Sequence, residues 1–351
     1  MAKEFQLTRD PVFQLNACLW LVRKVPYSPN ATPPTYYSDG FVFRAIGRRL
    51  GVSDALKKSF RSLGWSPDPP EPDVLICHSP SRHSLVIECK AQGFSPGSST
   101  AQQGRKLLTV CADPGIALGS PGEPGEAFVI YALPLEDVED QLSTLSALKT
   151  ELADLGFICA KSGTLGLEIS SGGLWGELCV PEVTENSPVR KICKRVQITV
   201  GDGDASRPIY LVPYDPTAAD NQTKDEREYC TNILVQRVLV YAMSVLGRAE
   251  VPDFVRINGR DILREATFKI SDYWQASELK KLERRIIQIL HSTLNKGIIR
   301  EKVQASGDWI EVHLESLDLQ KAALNMLQRS HTETMAKALA SPQLQLDEAD
   351  N

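Results

Sequence analysis

The segment from Asp73 to Lys90 constrains the fold of this chain more than any other. Two short apolar runs, Asp73-Val74-Leu75-Ile76-Cys77-His78 and Ser84-Leu85-Val86-Ile87-Glu88-Cys89-Lys90, flank the polar tetrapeptide Ser79-Pro80-Ser81-Arg82, which predicts a β-hairpin. Alternate side chains of a strand share a face, so Glu88 and Lys90 point together while Leu85, Ile87 and Cys89 point to the other side. The run Leu85-Val86-Ile87 is apolar enough to be buried, and two charges at its end then need partners, because an uncompensated buried charge is costly. The acid that opens the first strand, Asp73, is placed to complete a polar cluster at one end of a sheet.

The flanking sequence predicts what covers that sheet. Phe13 to Val25 is strongly apolar apart from Arg23 and Lys24, and the Pro-rich stretch Pro26 to Tyr37 reads as a loop. From about Asp39 to Leu63, Phe43, Ile46, Leu50, Leu56 and Phe60 recur at helical spacing, which predicts two helices broken at Gly51. Ser66-Pro67-Asp68-Pro69-Pro70 stops the second. After the hairpin the pattern predicts a helix from Thr100 to Cys111, a strand from Ala127 to Ala132, a helix from Leu135 to Leu155 and a strand from Gly156 to Ala160. Helix, strands, helix, strand, helix, strand is the order of an α/β (mixed α+β) domain with a central mixed sheet, here residues 1–180. The glycines at 163, 166, 172, 173 and 176 lack the GKS or GKT ending of a phosphate-binding loop.

Residues 185–340 read as a second, mostly helical α+β domain. It holds strands at Arg195–Val200 and Pro208–Val212, a loop from Pro213 to Asp225 and a helix from Glu228 to Leu246. Residues 275–297 form an amphipathic helix with Leu279, Leu282, Ile286, Ile289, Leu290 and Leu294 on its apolar side. A hairpin from Ile298–Glu301 and Trp309–Leu314, turning at Ser306-Gly307-Asp308, and a helix from Asp318 to Ala340 follow, and residues 341–351 are a polar, frayed tail. A helix followed by a two-stranded wing occurs in nucleic-acid-binding modules. The surroundings are acidic and no basic recognition helix stands out, so this half reads as an accessory domain for dimerisation, packing or partner binding.

Composition narrows the class. At roughly 100–200 residues per domain, 351 residues fit two domains, and 42% apolar with 24% charged residues is ordinary for a globular chain. Residues 1–110 carry 14 Lys+Arg against 8 Asp+Glu, a balance of 14 − 8 = +6, and the remainder of the −5 chain is therefore −11. A basic first third can steer a polyanion to one region. The eight scattered cysteines form no CxxC pair, which suits reduced thiols and argues against structural zinc. Met1 to Phe5 lacks the start of an export signal, and no apolar run approaches the roughly 18–20 residues that span a bilayer, so the expectation is a cytoplasmic protein with no membrane contact.

The polar cluster carries the one chemistry that the sequence offers. Two carboxylates and a backbone carbonyl suit Mg²⁺, a hard ion that prefers oxygen. Such an ion polarises a phosphodiester and acidifies an attacking water, while Lys90 positions that water, acts as a base if its pKa is depressed, or balances transition-state charge. A bare Glu-x-Lys is cheap, and the chain holds a decoy in Pro252-Asp253 followed by Glu278-Leu279-Lys280. That copy opens an amphipathic helix with no apolar strand leading into it, so context selects the first. His78 and His83 read as ordinary hydrogen-bonding residues of a turn, and Cys89 as a core thiol. Gly93 and Gly97 leave Ser95 to Thr100 open either as a substrate-facing loop or as a plain connection.

In Pro72-Asp73 and Glu88-Cys89-Lys90, with the helix, hairpin, helix and strand around them, the chain resembles the PD-(D/E)xK nuclease superfamily and its restriction-endonuclease-like αβββαβ core over roughly residues 40–165. The resemblance implies that Asp73 and Glu88 bind a divalent metal, Mg²⁺ or Mn²⁺ in its place, with the Cys89 backbone carbonyl as a further donor and Lys90 assisting the water. Some members carry a Glu in the first core helix, where this chain offers Asp39 or Asp54. Many place a Gln or a basic residue on the helix after the lysine strand, here Gln103 in preference to Gln102, with Arg105 and Lys106 available for phosphates. Arg44, Arg48 and Arg82 are further candidates to contact nucleic acid. The implied activity is metal-dependent hydrolysis of nucleic acid, most naturally by a DNA endonuclease in a restriction or phage-defence setting, with RNA as an alternative substrate. A homodimer and a separate ATPase or modification subunit are the implied partners. A non-catalytic binding or assembly protein and a small-nucleotide phosphodiesterase are the competing readings.

Overall fold

The computed structural model describes residues 7–22, 35–120, 125–170, 173–198, 224–250 and 254–339. The strand expected at Pro208–Val212, Pro252-Asp253, Gly172, the tail and nearly all of the loops at 26–37 and 213–225 lie outside them. The chain divides into two compact units, Met1–Ile209 and Tyr210–Asn351.

The first unit is a mixed sheet flanked by helices. Its strands are β1 (Phe41–Ile46), β2 (Val74–His78), β3 (Ser84–Cys89), β4 (Ala127–Pro134), β5 (Lys161–Ser170), β6 (Gly173–Cys179) and β7 (Arg195–Ile198). They lie side by side in sequence order. β1, β2 and β3 form an antiparallel meander, β4 and β5 run parallel to β3, and β6 and β7 return antiparallel. Because β7 pairs with β6, this sheet continues past residue 180.

Helix α1 (Pro11–Val22) is the apolar piece near the start of the chain, capped by Asp10, which accepts from the Val12 amide at 2.9 Å. Every residue from Val12 to Val22 is buried, the two amides among them, Gln14 and Asn16, donating to backbone carbonyls. It packs on the β1–β4 side of the sheet, with Cys18 beside Cys89. A single turn, α2 (Thr35–Ser38), precedes β1. The opposite face is covered by α4 (Ser99–Val110) and α6 (Val138–Asp154), whose Leu107, Leu108, Leu145 and Leu148 pack with Val86, Val129, Tyr131 and Leu133. α3 (Asp54–Ser62) and α5 (Pro114–Ala117) complete this side.

Two expectations change here. Residues 41–46 form a strand, not a helix, because Arg44 is bulged out between Phe43 and Ala45 and shifts the register against β2. The bulge breaks the two-residue period, so Phe43 and Ile46 mimic helical spacing. The strand expected at 156–160 begins instead at Lys161. Gly156, at φ +82°, closes the C-terminus of α6 with the Phe157 amide donating back to the Leu152 carbonyl. Phe157 then stacks on Trp65, so the apolar run serves a helix cap and a side cluster.

The second unit holds α7 (Lys224–Arg248), β8 (Phe254–Asn258), α8 (Gly259–Ala266), α9 (Ala276–Leu294), β9 (Val303–Ser306), β10 (Trp309–His313) and α10 (Leu317–Leu339). β10 lies between β8 and β9, antiparallel to both. Ile298–Glu301, expected as strand, belongs to a 3-10 turn over Gly297–Lys302, and the strand starts at Val303. Among the described residues no helix is long and apolar enough to cross a membrane.

Candidate active site

The end of β3 carries the polar cluster. Glu88 and Lys90 share the α4 face of the sheet, and Asp73 reaches the same end because β2 runs antiparallel to β3, with Val74 opposite Ile87. Asp73 Oδ2 accepts the Cys89 amide at 2.6 Å. Glu88 is almost fully buried, and its Oε1 accepts from Lys90 Nζ at 2.8 Å and from Gln103 Nε2 at 2.8 Å. Lys90 Nζ also lies 3.3 Å from Gln103 Oε1. Gln103 sits on α4, whose first turn is capped by Ser98 accepting from the Ala101 amide. Asp73, Glu88, Lys90 and Gln103 thus meet across two strands and a helix.

Burial acts to lower the Lys90 pKa, but the adjacent Glu88 charge and hydrogen bond, with Asp73 behind them, outweigh it and hold Lys90 above the ordinary lysine value. Lys90 is therefore an ammonium here, suited to balancing charge and holding a partner; the depressed base is the alternative this geometry disfavours. The hydrogen bond with Cys18, then burial and the neighbouring carboxylates, push the Cys89 thiol well up. Its side chain is on the α1 face, as a core thiol.

Two residues of the site were not found in the sequence. Gln14 of α1 donates its Nε2 to the Lys90 carbonyl and to the Thr8 carbonyl, both at 2.7 Å, fixing the backbone that carries the lysine. Neither Asp39 nor Asp54, the acids the sequence offered, reaches this strand end, whereas Gln14 of α1 does. Asp54 is fully exposed and pairs with Lys57, and Asp39 sits near His78 at the other end of β2. Tyr131 is the register partner of Glu88 on β4 and is buried beneath it. Burial and then the Glu88 charge raise its pKa well above the usual phenol value. The signal available for Tyr131 was an aromatic within a buried strand, which reads first as core. Gln14 lies in an apolar run beside a second amide, Asn16, and nothing local separates the two.

The basic residues part company. Arg44, Arg48 and Arg82 line one cleft of about 310 Å³ with Val42, His78 and Ser84; Asp73, Glu88, Lys90 and Gln103 do not line it. Arg48 Nη2 already donates to the Leu118 carbonyl at 2.5 Å. Arg105 grips Glu151 of α6 through two hydrogen bonds, 2.9 and 2.7 Å, and donates to the Pro96 carbonyl, so it clamps helix to helix. Burial lowers the Lys106 pKa while Asp68 opposes it. His78 Nδ1 and Ser81 Oγ lie 2.5 Å apart, and His83 stacks on Phe128, both at the hairpin end of the strands. Gly163 and Gly166 lie in β5 and Gly176 in β6, where a Cβ on Gly163 would meet the Cys179 carbonyl at 2.0 Å.

The donor set suits a hard divalent cation in kind. Asp73 and Glu88 give carboxylate oxygens at one strand end, and Mg²⁺ takes one or two carboxylates with the rest of its shell from water and substrate. Among the described residues, no group of three or more His, Cys, Asp or Glu is arranged to hold a metal ion. Comparison with protein-family models, curated proteins and solved structures finds no match to this chain.

Proposed function

We propose that this chain hydrolyses nucleic-acid phosphodiester bonds with a divalent metal ion, most naturally as a DNA endonuclease in a restriction or phage-defence setting. The observation that carries the reading is the meeting of Asp73, Glu88, Lys90 and Gln103 at one strand end, with Glu88 buried and 2.8 Å from Lys90. The sequence of α1, the β1–β3 meander, α4 and parallel β4 supports the finer view of the sheet as a restriction-endonuclease-like αβββαβ core.

A Mg²⁺ or Mn²⁺ ion held by Asp73, Glu88 and the Cys89 carbonyl would polarise the scissile phosphate and acidify water. The Lys90 ammonium balances charge on the phosphate oxygens, and Gln103 and Glu88 keep it aimed at that end of the strand. Gln14 holds the Lys90 backbone from the other side of the sheet.

One observation favours a second reading. Glu88 Oε1 is held by Lys90 and Gln103, and Asp73 Oδ2 by the Cys89 amide, which suits a polar cluster kept for structure in a non-catalytic nucleic-acid-binding or assembly protein. Cleavage of labelled duplex DNA, single-stranded DNA and RNA with Mg²⁺ or Mn²⁺, with a chelator control, separates the two. The enzyme reading expects metal-dependent cutting that falls on the order of 10²-fold or more in Glu88→Ala and Lys90→Ala. Folded wild type that neither cuts any of the three polymers nor binds a divalent ion supports the second reading.

A further inference from the structure

The second unit has an order that the catalytic reading does not use. α7, β8, α8 and α9 are followed by the hairpin β9–β10, and β10 returns between β9 and β8. α7, α8 and α9 pack together, and the hairpin lies against α9. α8 and α9 are thus a packed helix pair joined by residues 267–275, with a sheet-anchored wing beside the second. The connection is held firmly. Phe268 and Lys269 take left-handed φ values of +51° and +66°, while Arg237 of α7 donates to the Ala266 carbonyl at 3.0 Å and lies over the Phe268 ring. On the wing, Arg256 of β8 covers the Trp309 ring and pairs with Glu311.

The charge on α9 is sorted by face. Leu279, Leu282, Ile286, Ile287, Leu290 and Leu294 are buried, while Lys280, Lys281, Arg284, Arg285 and Gln288 are exposed. Among the described residues, Arg284 and Arg285 have no ion-pair partner. Residues 276–302 hold seven Lys+Arg against three Glu, in a chain whose net charge is −5. The sequence suggested no basic recognition helix because the cations are interleaved with the apolar residues that face inward. Folding removes those apolar residues from view and leaves a cationic ridge.

We propose that the second unit binds duplex DNA, with the exposed face of α9 in the major groove and the β9–β10 wing along the neighbouring backbone. A protein surface of this charge could meet any polyanion. The helical ridge selects B-form duplex, whose major groove admits an α-helix, over duplex RNA, whose major groove is too narrow. Arg284 and Arg285 are its phosphate- or base-contacting residues. This inference does not depend on catalysis at Glu88.

The test is anisotropy of a labelled DNA duplex titrated with the full chain carrying Glu88→Ala, in chelator, over a series of salt concentrations. Single-stranded DNA and duplex RNA are measured alongside. Arg284→Ala with Arg285→Ala is expected to weaken duplex binding on the order of tenfold or more and to reduce the slope of log affinity against log salt by about 2. Gln288→Glu, a change at an exposed position that leaves the core untouched, is expected to weaken it as well. Thermal melting checks that each variant is folded. Unchanged affinity and slope in both folded variants would overturn the proposal, as would equal affinity for duplex RNA. Absence of duplex binding by the parent chain in low salt also overturns it, and this face then belongs to a protein partner. Wild type that binds the duplex but cuts none of duplex DNA, single-stranded DNA and RNA and binds no divalent ion refutes the proposed catalysis and leaves this inference standing.

Discussion

At the residue scale, Glu88 and Lys90 decide how the site behaves. Glu88 is nearly buried and Lys90 only partly exposed, so removing one leaves the other's charge poorly compensated. Lys90→Ala is expected to cost about 3 kcal/mol of unfolding free energy, whereas Lys90→Met with Glu88→Gln together costs less, measured by urea denaturation. The sign of the pH dependence follows from the raised Lys90 pKa. Its stabilisation is fully present below the ordinary lysine value of 10.5 and is lost only as pH rises through the higher folded value. An unfolding series from neutral to strongly alkaline pH checks this, and a loss centred well below 10.5 would contradict the ammonium assignment.

At the scale of elements, the carboxyl group of Glu283 gives a second pH test. It is buried within α9, where desolvation raises its pKa above the ordinary 4.5, Arg260 and Lys280 partly offset this, and Asp308 adds to it. A raised folded value means that its contribution is favourable below the unfolded pKa and is lost as pH rises through the folded one. Glu283→Gln is therefore expected to raise the melting temperature at neutral pH, with the difference shrinking as pH falls through the raised folded value towards 4.5 and absent below it. Thermal melts of both proteins across that window check it. Elements also mark what was legible beforehand. The hairpin at Asp73–Lys90 and helices α4, α6, α7, α9 and α10 followed from local pattern, because their faces are set by neighbours close in sequence. β1 was lost to a bulge at Arg44, and β5 was placed too early, on the apolar cap segment 156–160 of α6. Within β5, Gly163 has no room for a methyl group, because a Cβ there would meet the Cys179 carbonyl of β6 at 2.0 Å. Gly163→Ala is expected to cost about 1–3 kcal/mol, seen in the same denaturation assay. In the site, Asp73, Glu88 and Lys90 were readable from strand parity and spacing, and Gln103 from the family resemblance alone. Gln14 was not, because its link to Lys90 joins positions 76 residues apart.

At the scale of the whole molecule, the two units divide the labour that the proposals assign. One unit holds the polar cluster, and the other holds a cationic helix face. If the first cuts DNA and the second grips it, gripping converts the encounter with the cutting site into a nearly intramolecular event and raises its effective concentration. Substitutions in α9 then act on substrate capture, while substitutions at the strand end act on the chemical step. Arg284→Ala with Arg285→Ala is expected to raise KM on the order of tenfold with kcat unchanged. Lys90→Ala is expected to lower kcat on the order of 10²-fold with KM little altered. The split is measured by steady-state cleavage of a long duplex over a range of concentrations. A fall in kcat alone for the α9 variant would mean that its residues serve the reaction itself, and capture would have to reside elsewhere in the chain. The cleft lined by Arg44, Arg48 and Arg82 is then the place to look.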